Sequence, residues 1–133
     1  MKHEARLRPV AWIGGCKKDL ASFPEDVKDA MGHALYLAQG GGKHPGAKPL
    51  KGFGGGGVLE IVVDDSGGTY RVIYTTSLAG RIYVVHAFQK KSKTGIKTPR
   101  REIELIRSRL RRAQEEHLRW VKEEEHGGKE QQN

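Results

Sequence analysis

The sequence predicts an α+β fold, a small antiparallel sheet of about four strands with a mixed edge and helices packed on one face. Two observations lead to it. Three β-branched, apolar segments joined by short turns lie mid-chain, and segments with apolar residues at helical spacing flank them. The 133 residues are enough for one core. We expect a single domain over residues 1–126 and a disordered tail over 127–133.

The first part of the chain predicts one strand and one helix. Residues 9–13 are a short apolar run that a glycine pair ends. Ser22 and Glu25 have the spacing of a capping box, with the serine at the N-cap. Apolar residues then recur at helical spacing until the glycines at 40–42, so we expect the first helix to begin at this box and to end there.

The centre of the chain predicts three strands, residues 58–63, 69–76 and 81–88, joined by short turns into an antiparallel meander. A long helix follows, with Thr98 as N-cap and Pro99 at its first position. Its apolar stripe consists of Ile103, Ile106, Leu110 and Ala113. We expect the glycines at 127–128 to end it.

Three apolar residues of this last helix lie beyond what a small core needs, and two roles are open for them. They are contacts for a partner protein, or they pack back onto the first helix. These residues are Leu118, Trp120 and Val121.

Positive charge is concentrated in the middle of the chain. Residues 43–112 carry 15 basic and 5 acidic side chains, whereas residues 113–133 carry 3 basic and 6 acidic ones. Four lysines, at 90, 91, 93 and 97, occupy one strand-to-helix connection. Clustered cations beside a sheet suit phosphate binding, which favours a nucleic-acid substrate.

Other classes of protein are disfavoured. A lone cysteine, Cys16, excludes a disulfide framework and fits a reducing cytoplasm, where we place the protein. The start has no apolar signal region, and no apolar run is long enough to cross a membrane. The histidines lack metal-ligand spacing, so we expect neither a metal nor another cofactor.

Two strand residues stand out. Arg71 lies mid-strand, where strand alternation places it with Ile73 and Thr75. It either pairs with Glu60 across the sheet, as a surface ion pair, or stands on an open face beside Lys51 and the lysine connection. His86 lies in an apolar strand, on the face of Ile82, Val84 and Phe88 by alternation. A packed, hydrogen-bonded histidine is favoured there over a catalytic one.

Several segments together resemble the RelE/ParE toxin superfamily, and most closely the phage-related, HigB-like branch of type II toxin–antitoxin systems. The resemblance covers roughly residues 9–113. Its main motifs are Tyr70-Arg71-Val72-Ile73-Tyr74, Phe88-Gln89-Lys90-Lys91 and Thr98-Pro99, with Leu50-Lys51-Gly52 before them. The resemblance implies a RelE-like fold.

The resemblance also implies a function. It predicts a metal-independent, ribosome-dependent endoribonuclease that cuts mRNA and inhibits translation, with ribosome, mRNA and a helix-turn-helix antitoxin as partners. The catalytic cations would be Arg71, Lys91 and Lys93. The RNA-binding residues would be Lys48, Lys51, Arg81, Lys90 and Lys97. The family's late tyrosine or histidine is missing, which leaves a lysine or His86 as the acid–base group.

Two alternatives remain open. A ParE-like toxin inhibits DNA gyrase and cuts nothing. A basic module that binds RNA or ribosomes without chemistry would carry the same charge pattern. The fold by itself does not separate these activities.

Overall fold

The computed structural model describes residues 7–54, 57–90 and 99–131. Along the chain the elements are β1 (Val10–Trp12), α1 (Cys16–Ala21), α2 (Glu25–Gln39), β2 (Lys48–Pro49), β3 (Val58–Asp65), β4 (Gly68–Thr75), β5 (Ile82–Lys90) and α3 (Arg100–Gln131). The strands form one five-stranded sheet in the order β1-β5-β4-β3-β2. This confirms the α+β class with a long C-terminal helix, and it is consistent with a RelE-like fold.

The predicted meander is confirmed, because β3, β4 and β5 pair antiparallel in sequence order. The mixed edge comes from β1, which pairs parallel with β5. The fifth strand, β2, has only two residues and pairs antiparallel with β3. A two-residue strand that contains a proline has no periodicity for a sequence to display, so the estimate of about four strands missed it.

Helices cover both faces of the sheet, whereas the sequence predicted helices on one face. The core between the sheet and α2 is formed mainly by Val27, Met31, Val72, Tyr74 and Val84. The core between the sheet and α3 is formed mainly by Ile73, Tyr83, Val85, Ile106 and Ala113. The start of β5 is therefore buried on both sides, which explains why its sequence is a continuous apolar run and not an alternation.

The predicted capping box at Ser22 is wrong. An additional short helix, α1, precedes it, and Ser22 is the C-cap of that helix, where its hydroxyl donates to the Asp19 carbonyl at 2.6 Å. The N-cap of α2 is Pro24, whose carbonyl accepts from the Lys28 amide at 2.9 Å. The Ser22 hydroxyl therefore satisfies a carbonyl at the end of α1 and not an amide at the start of α2.

Helix α3 continues through Gly127 and Gly128 to Gln131, so the predicted end at these glycines is wrong. Glycine costs a helix roughly 1 kcal/mol relative to alanine, which disfavours the helix without forbidding it. The predicted N-cap, Thr98, lies outside the described residues. No helix in the described part of the chain is both long and apolar enough to cross a bilayer.

Candidate nucleic-acid interface

The central cation of the sheet, Arg71, is buried. Its side chain on β4 is paired with that of Glu60 on β3, with 3.0 Å between the arginine Nη1 and the carboxylate Oε2. Only 4 % of Arg71 is exposed, so the expectation of an open face is wrong. The alternative, a pair with Glu60, is confirmed, although it lies within the sheet and not at the surface. The carboxylate is the more accessible partner, at 17 %.

Glu60 lies at the junction of three strands. Lys48 of β2 and Ile73 of β4 are its direct cross-strand neighbours. Directly opposite residues point to the same side of a sheet, so the exposed Lys48 shares the face of the Glu60–Arg71 pair. The sequence did not single out Glu60 as a site residue, because a lone strand carboxylate carries no motif.

A β-bulge changes the face on which His86 lies. The register shifts between Ile73 and Tyr74, whose partners on β5 are His86 and Val84, so Val85 is the extra residue. His86 therefore faces α3 and stacks on Phe88 at 4.8 Å between ring centroids. The prediction that His86 shares a face with Phe88 is confirmed, while the prediction that it shares one with Val84 is wrong.

His86 is packed and hydrogen-bonded, as the sequence favoured. Its Nδ1 lies 3.0 Å from Nη1 of Arg109, which can only donate. The other nitrogen, Nε2, therefore carries the proton and donates to the carboxylate of Glu102. Burial lowers the pKa of His86, and the Glu102 carboxylate opposes that shift in part. The imidazole is held neutral between an arginine and a carboxylate.

Arg109 of α3 makes hydrogen bonds to β5, and no sequence motif indicated this role. Besides the histidine contact, its guanidinium donates to the Val85 carbonyl at 3.1 Å. It also lies against Gly14, where a Cβ atom would come within 3.1 Å of the guanidinium. Gly14 has a φ of +63°, so glycine serves both the turn and the close approach.

The predicted RNA-binding residues do not form one cluster. Lys48 and Lys51 are exposed at β2 and in the turn after it, and Lys90 is half-buried at the end of β5, opposite Thr69. Arg81 precedes the other end of β5, roughly 30 Å away at the rise of an extended strand. Lys91, Lys93 and Lys97 lie outside the described residues.

Arg81 belongs to an aromatic cluster. Its guanidinium lies 4.9 Å from the ring centroid of Trp120 and 5.5 Å from that of Tyr83. The Tyr83 hydroxyl is 3.0 Å from Nδ1 of His117. Trp120 thus packs on the turn before β5 and not on the first helix, and a packing role explains Arg81. The other two apolar residues near the end of α3 are Leu118 and Val121, and Leu118 is 64 % exposed.

Metal-ligating side chains are not grouped in the described ranges, where no three His, Cys, Asp or Glu residues are placed to hold an ion. Burial raises the pKa of Cys16, whose thiol donates to the Val84 carbonyl at 3.1 Å. This describes an inert core thiol and not a ligand or nucleophile.

These features define a basic α+β domain with a RelE-like fold and a buried ion pair, Glu60–Arg71, within its sheet. Residues 18–111 match the family described as phage-derived protein Gp49-like (DUF891), and the chain belongs to that family. It is a RelE-like family of toxins from toxin–antitoxin systems, which assigns this chain a toxin role and implies an antitoxin partner. No curated protein gives a significant match. The match extends from α1 into the first part of α3, so β1 and Trp120 lie outside it.

Proposed function

We propose that this toxin is a ribosome-dependent endoribonuclease that cuts mRNA without a metal ion and thereby inhibits translation. The observation that carries the proposal is the Glu60–Arg71 pair, with the exposed Lys48 directly across the β2–β3 ladder. A carboxylate held by one cation and flanked by another places a proton acceptor beside positive charge. Phosphodiester cleavage needs both. Membership of a toxin family supports it.

The chemistry is attack of an RNA 2′-hydroxyl on the adjacent phosphate. The 2′-oxygen forms the new P–O bond, the 5′-oxygen leaves, and a cyclic phosphate remains. Glu60 takes the 2′-hydroxyl proton, and Arg71 fixes the carboxylate in place. Lys91 and Lys93 stabilise the negative charge of the phosphorane, while Lys48, Lys51, Lys90 and Lys97 hold the RNA backbone.

The leaving oxygen needs a proton, and the burial of His86 supports a lysine as its source. His86 is 5 % exposed and both of its ring nitrogens are hydrogen-bonded within the fold. A general acid must reach the leaving oxygen, directly or through one water molecule. A histidine covered by α3 does not meet that requirement, so we assign the proton donation to a lysine.

One observation favours a second candidate, a basic module that binds RNA or ribosomes without cutting. Arg71 is buried, and a purely structural ion pair would look the same. Removal of Arg71 does not separate the two functions, because an unpaired Glu60 within the sheet would also destabilise the fold. The test needs a substitution at Glu60 that keeps the hydrogen bond with Arg71 but removes the basicity of the carboxylate.

Glu60→Gln meets this need, since the amide oxygen still accepts from Arg71. We expect the variant to fold, and the rate of mRNA cleavage to fall at least about a hundredfold, the usual contribution of a general base. The measurement is induction of the toxin followed by mapping of mRNA 5′ ends. Glu104→Gln is the matched control, because Glu104 is exposed on α3 in an ion pair with Arg100.

The proposal is supported if mRNA is cut within translated frames and if these cuts depend on Glu60. Growth arrest without cuts in the wild type would assign the non-catalytic module. Relaxed plasmid or broken DNA would assign gyrase inhibition. Full cleavage by Glu60→Gln would remove Glu60 from the mechanism.

A further inference from the structure

A cleft of about 380 Å³ opens between the turn after β2, the start of β3, the end of β4 and α3. Phe53 of the turn, Val58 of β3 and Leu110 of α3 form its apolar walls. All three side chains belong to the core on the α3 side of the sheet, or pack against it, so the cleft lies on that side. Its volume is within the range of about 300–1,000 Å³ that is usual for small-molecule sites. No step of the cleavage chemistry above uses it.

Arg107 of α3 lies over the ring of Phe53, with 4.9 Å between the guanidinium carbon and the ring centroid. The arginine also approaches the turn at Gly52, where a Cβ atom would lie 3.6 Å from its Nη2. Arg107 is exposed, and in the described ranges its guanidinium meets neither a carboxylate nor another acceptor. Arg109, two residues on, instead donates to β5. A guanidinium positioned by a ring, with uncommitted N–H donors, is suited to bind a phosphate.

The cleft and the Glu60 carboxylate lie on the same side of the sheet. Val58 and Glu60 are two residues apart on β3 and so point to the same face. Their Cα atoms are about 7 Å apart at the rise of a strand, a distance of about two stacked nucleotides. β2 runs alongside, with Lys48 opposite Glu60 and Lys51 shortly before Phe53. Exposed cations therefore line the way from the carboxylate to the cleft.

We propose that this cleft binds a base of the RNA substrate close to the cleaved bond, with Phe53 as the stacking surface and Arg107 on a phosphate of the same strand. The inference rests on the proposed function for its substrate. Single-stranded bases stack on aromatic side chains, because every base has a π-face. Arg107 does not line the cleft, so it contacts Phe53 without filling the space that the base would take.

The polar groups of the cleft do not select one base. The Thr75 hydroxyl donates to the Gly57 carbonyl at 2.6 Å and lies 2.8 Å from the Ser77 hydroxyl, which therefore donates to it. Ser77 keeps only lone pairs for a ligand, whereas the Gln114 amide both donates and accepts. Such a set satisfies any of the four bases, so stacking sets the affinity.

The test uses the intact chain without ribosomes and a short 2′-O-methyl RNA, in which the attacking hydroxyl is blocked. Four versions differ only in the central base. Backbone amide NMR shifts locate the binding, and we expect all four to shift the amides of Phe53, Val58 and Ser77. Inorganic phosphate alone should leave Val58 and Ser77 unchanged. The proposal is overturned if RNA leaves these amides unchanged, if phosphate shifts them equally, or if a single base is accepted.

Phe53→Leu tests the stacking surface, because it keeps an apolar side chain and removes the π-face. We expect RNA binding to weaken at least about fivefold, the lower end of the contribution of one stacked base. Tyr36→Leu is the matched control, since Tyr36 is exposed on α2, across the sheet from the cleft. Equal affinity of the two variants, at unfolding free energies like that of the wild type, would refute stacking on Phe53. If Phe53→Leu unfolds, the wild-type shifts decide.

Arg107→Gln tests the phosphate contact. The magnitude of the salt slope of RNA binding should fall by about 0.7, the contribution of one phosphate on a single strand. Arg112→Gln removes the same charge from an exposed position about 140° around α3 and should leave the slope unchanged. Equal slopes of the two variants would remove Arg107 from the site.

These measurements are independent of cleavage, so the failure of this inference and the failure of the proposed function are distinguishable. Binding in the cleft without mRNA cuts removes the nuclease proposal alone. Cuts within translated frames without binding in the cleft remove the cleft proposal alone.

Discussion

At the scale of single residues, the two partners of His86 set the tautomer of its ring. Arg109 donates to the Nδ1 of His86 and Glu102 accepts from its N–H, so the neutral ring satisfies both contacts. A second proton on the ring would face the arginine. Asp19 on α1 and Glu102 favour the charged form, yet burial dominates and lowers the pKa of the ring. Acid therefore acts against the native contacts of α3.

This predicts a pH dependence of stability. The pKa of His86 is lower in the folded chain than the ordinary value of about 6.5, so below that pH the unfolded chain binds more protons. The contribution of the neutral ring is complete above about pH 6.5 and is lost as the pH falls through the folded pKa. We expect His86→Gln, which does not titrate, to flatten the decline in unfolding free energy between about pH 7 and pH 5. Urea unfolding at several pH values measures it.

His33→Gln is the comparison, because His33 is exposed on α2. It should keep the slope of the wild type. An unchanged slope in His86→Gln would show that other groups govern the acid sensitivity.

Alternation along the strands predicted residue faces well until the backbone departed from regularity. Arg71 and Ile73 do share a face, and Tyr70 and Val72 share the other. His86 was misplaced because a single bulge residue reverses the alternation, and a continuous apolar run gives no sign of a bulge. The burial of Arg71 was also missed, since it depends on segments distant in sequence.

At the scale of elements, the two halves of α3 contact different parts of the fold. Its first half carries the predicted apolar stripe, of which Ile106 and Ala113 are fully buried. Its second half reaches the turn before β5 through Trp120, whose ring would lie 3.0 Å from a Cβ atom at Gly80. The stripe was predictable from helical spacing. The contact of Trp120 was not, because spacing does not say which turn a helix end meets.

Trp120→Ala should destabilise the fold by about 1–3 kcal/mol, through lost burial and lost contact with the Arg81 guanidinium. Leu118→Ala should change stability by less than about 0.5 kcal/mol, because Leu118 is exposed. Thermal or urea unfolding of both variants measures the difference. If instead Leu118→Ala abolishes rescue by the antitoxin while stability is unchanged, Leu118 is a partner contact. Equal stability of Trp120→Ala and the wild type would contradict the packing role.

At the scale of the whole molecule, charge is divided between two regions. The chain carries a net charge of +8, and the excess lies between residues 43 and 112. The end of α3 has the opposite balance, with acidic residues at 115, 116 and 123–125. A polyanion is attracted to the basic region and repelled by the acidic helix end, so the charge distribution orients the encounter.

Binding to RNA or ribosomes should therefore weaken steeply with salt. Each phosphate contact to a single strand contributes a slope of about −0.7 to the logarithm of affinity against the logarithm of salt concentration. Lys48→Gln with Lys51→Gln should reduce the magnitude of the slope by about 1.4, and Lys122→Gln, in the acidic part of α3, should leave it unchanged. A flat salt response of the wild type would contradict the polyanion interface.

The parallel pairing of β1 with β5 also sets an order of assembly. Val10 pairs with Ile82, and the first two strands of the meander, β3 and β4, lie between them in the chain. Contacts between such distant segments form only after a long loop has closed. Synthesis proceeds from the N-terminus, so β1 and α1 remain without their main partner until β5 has left the ribosome. A nascent chain therefore cannot complete its five-stranded sheet before β5 has been synthesised.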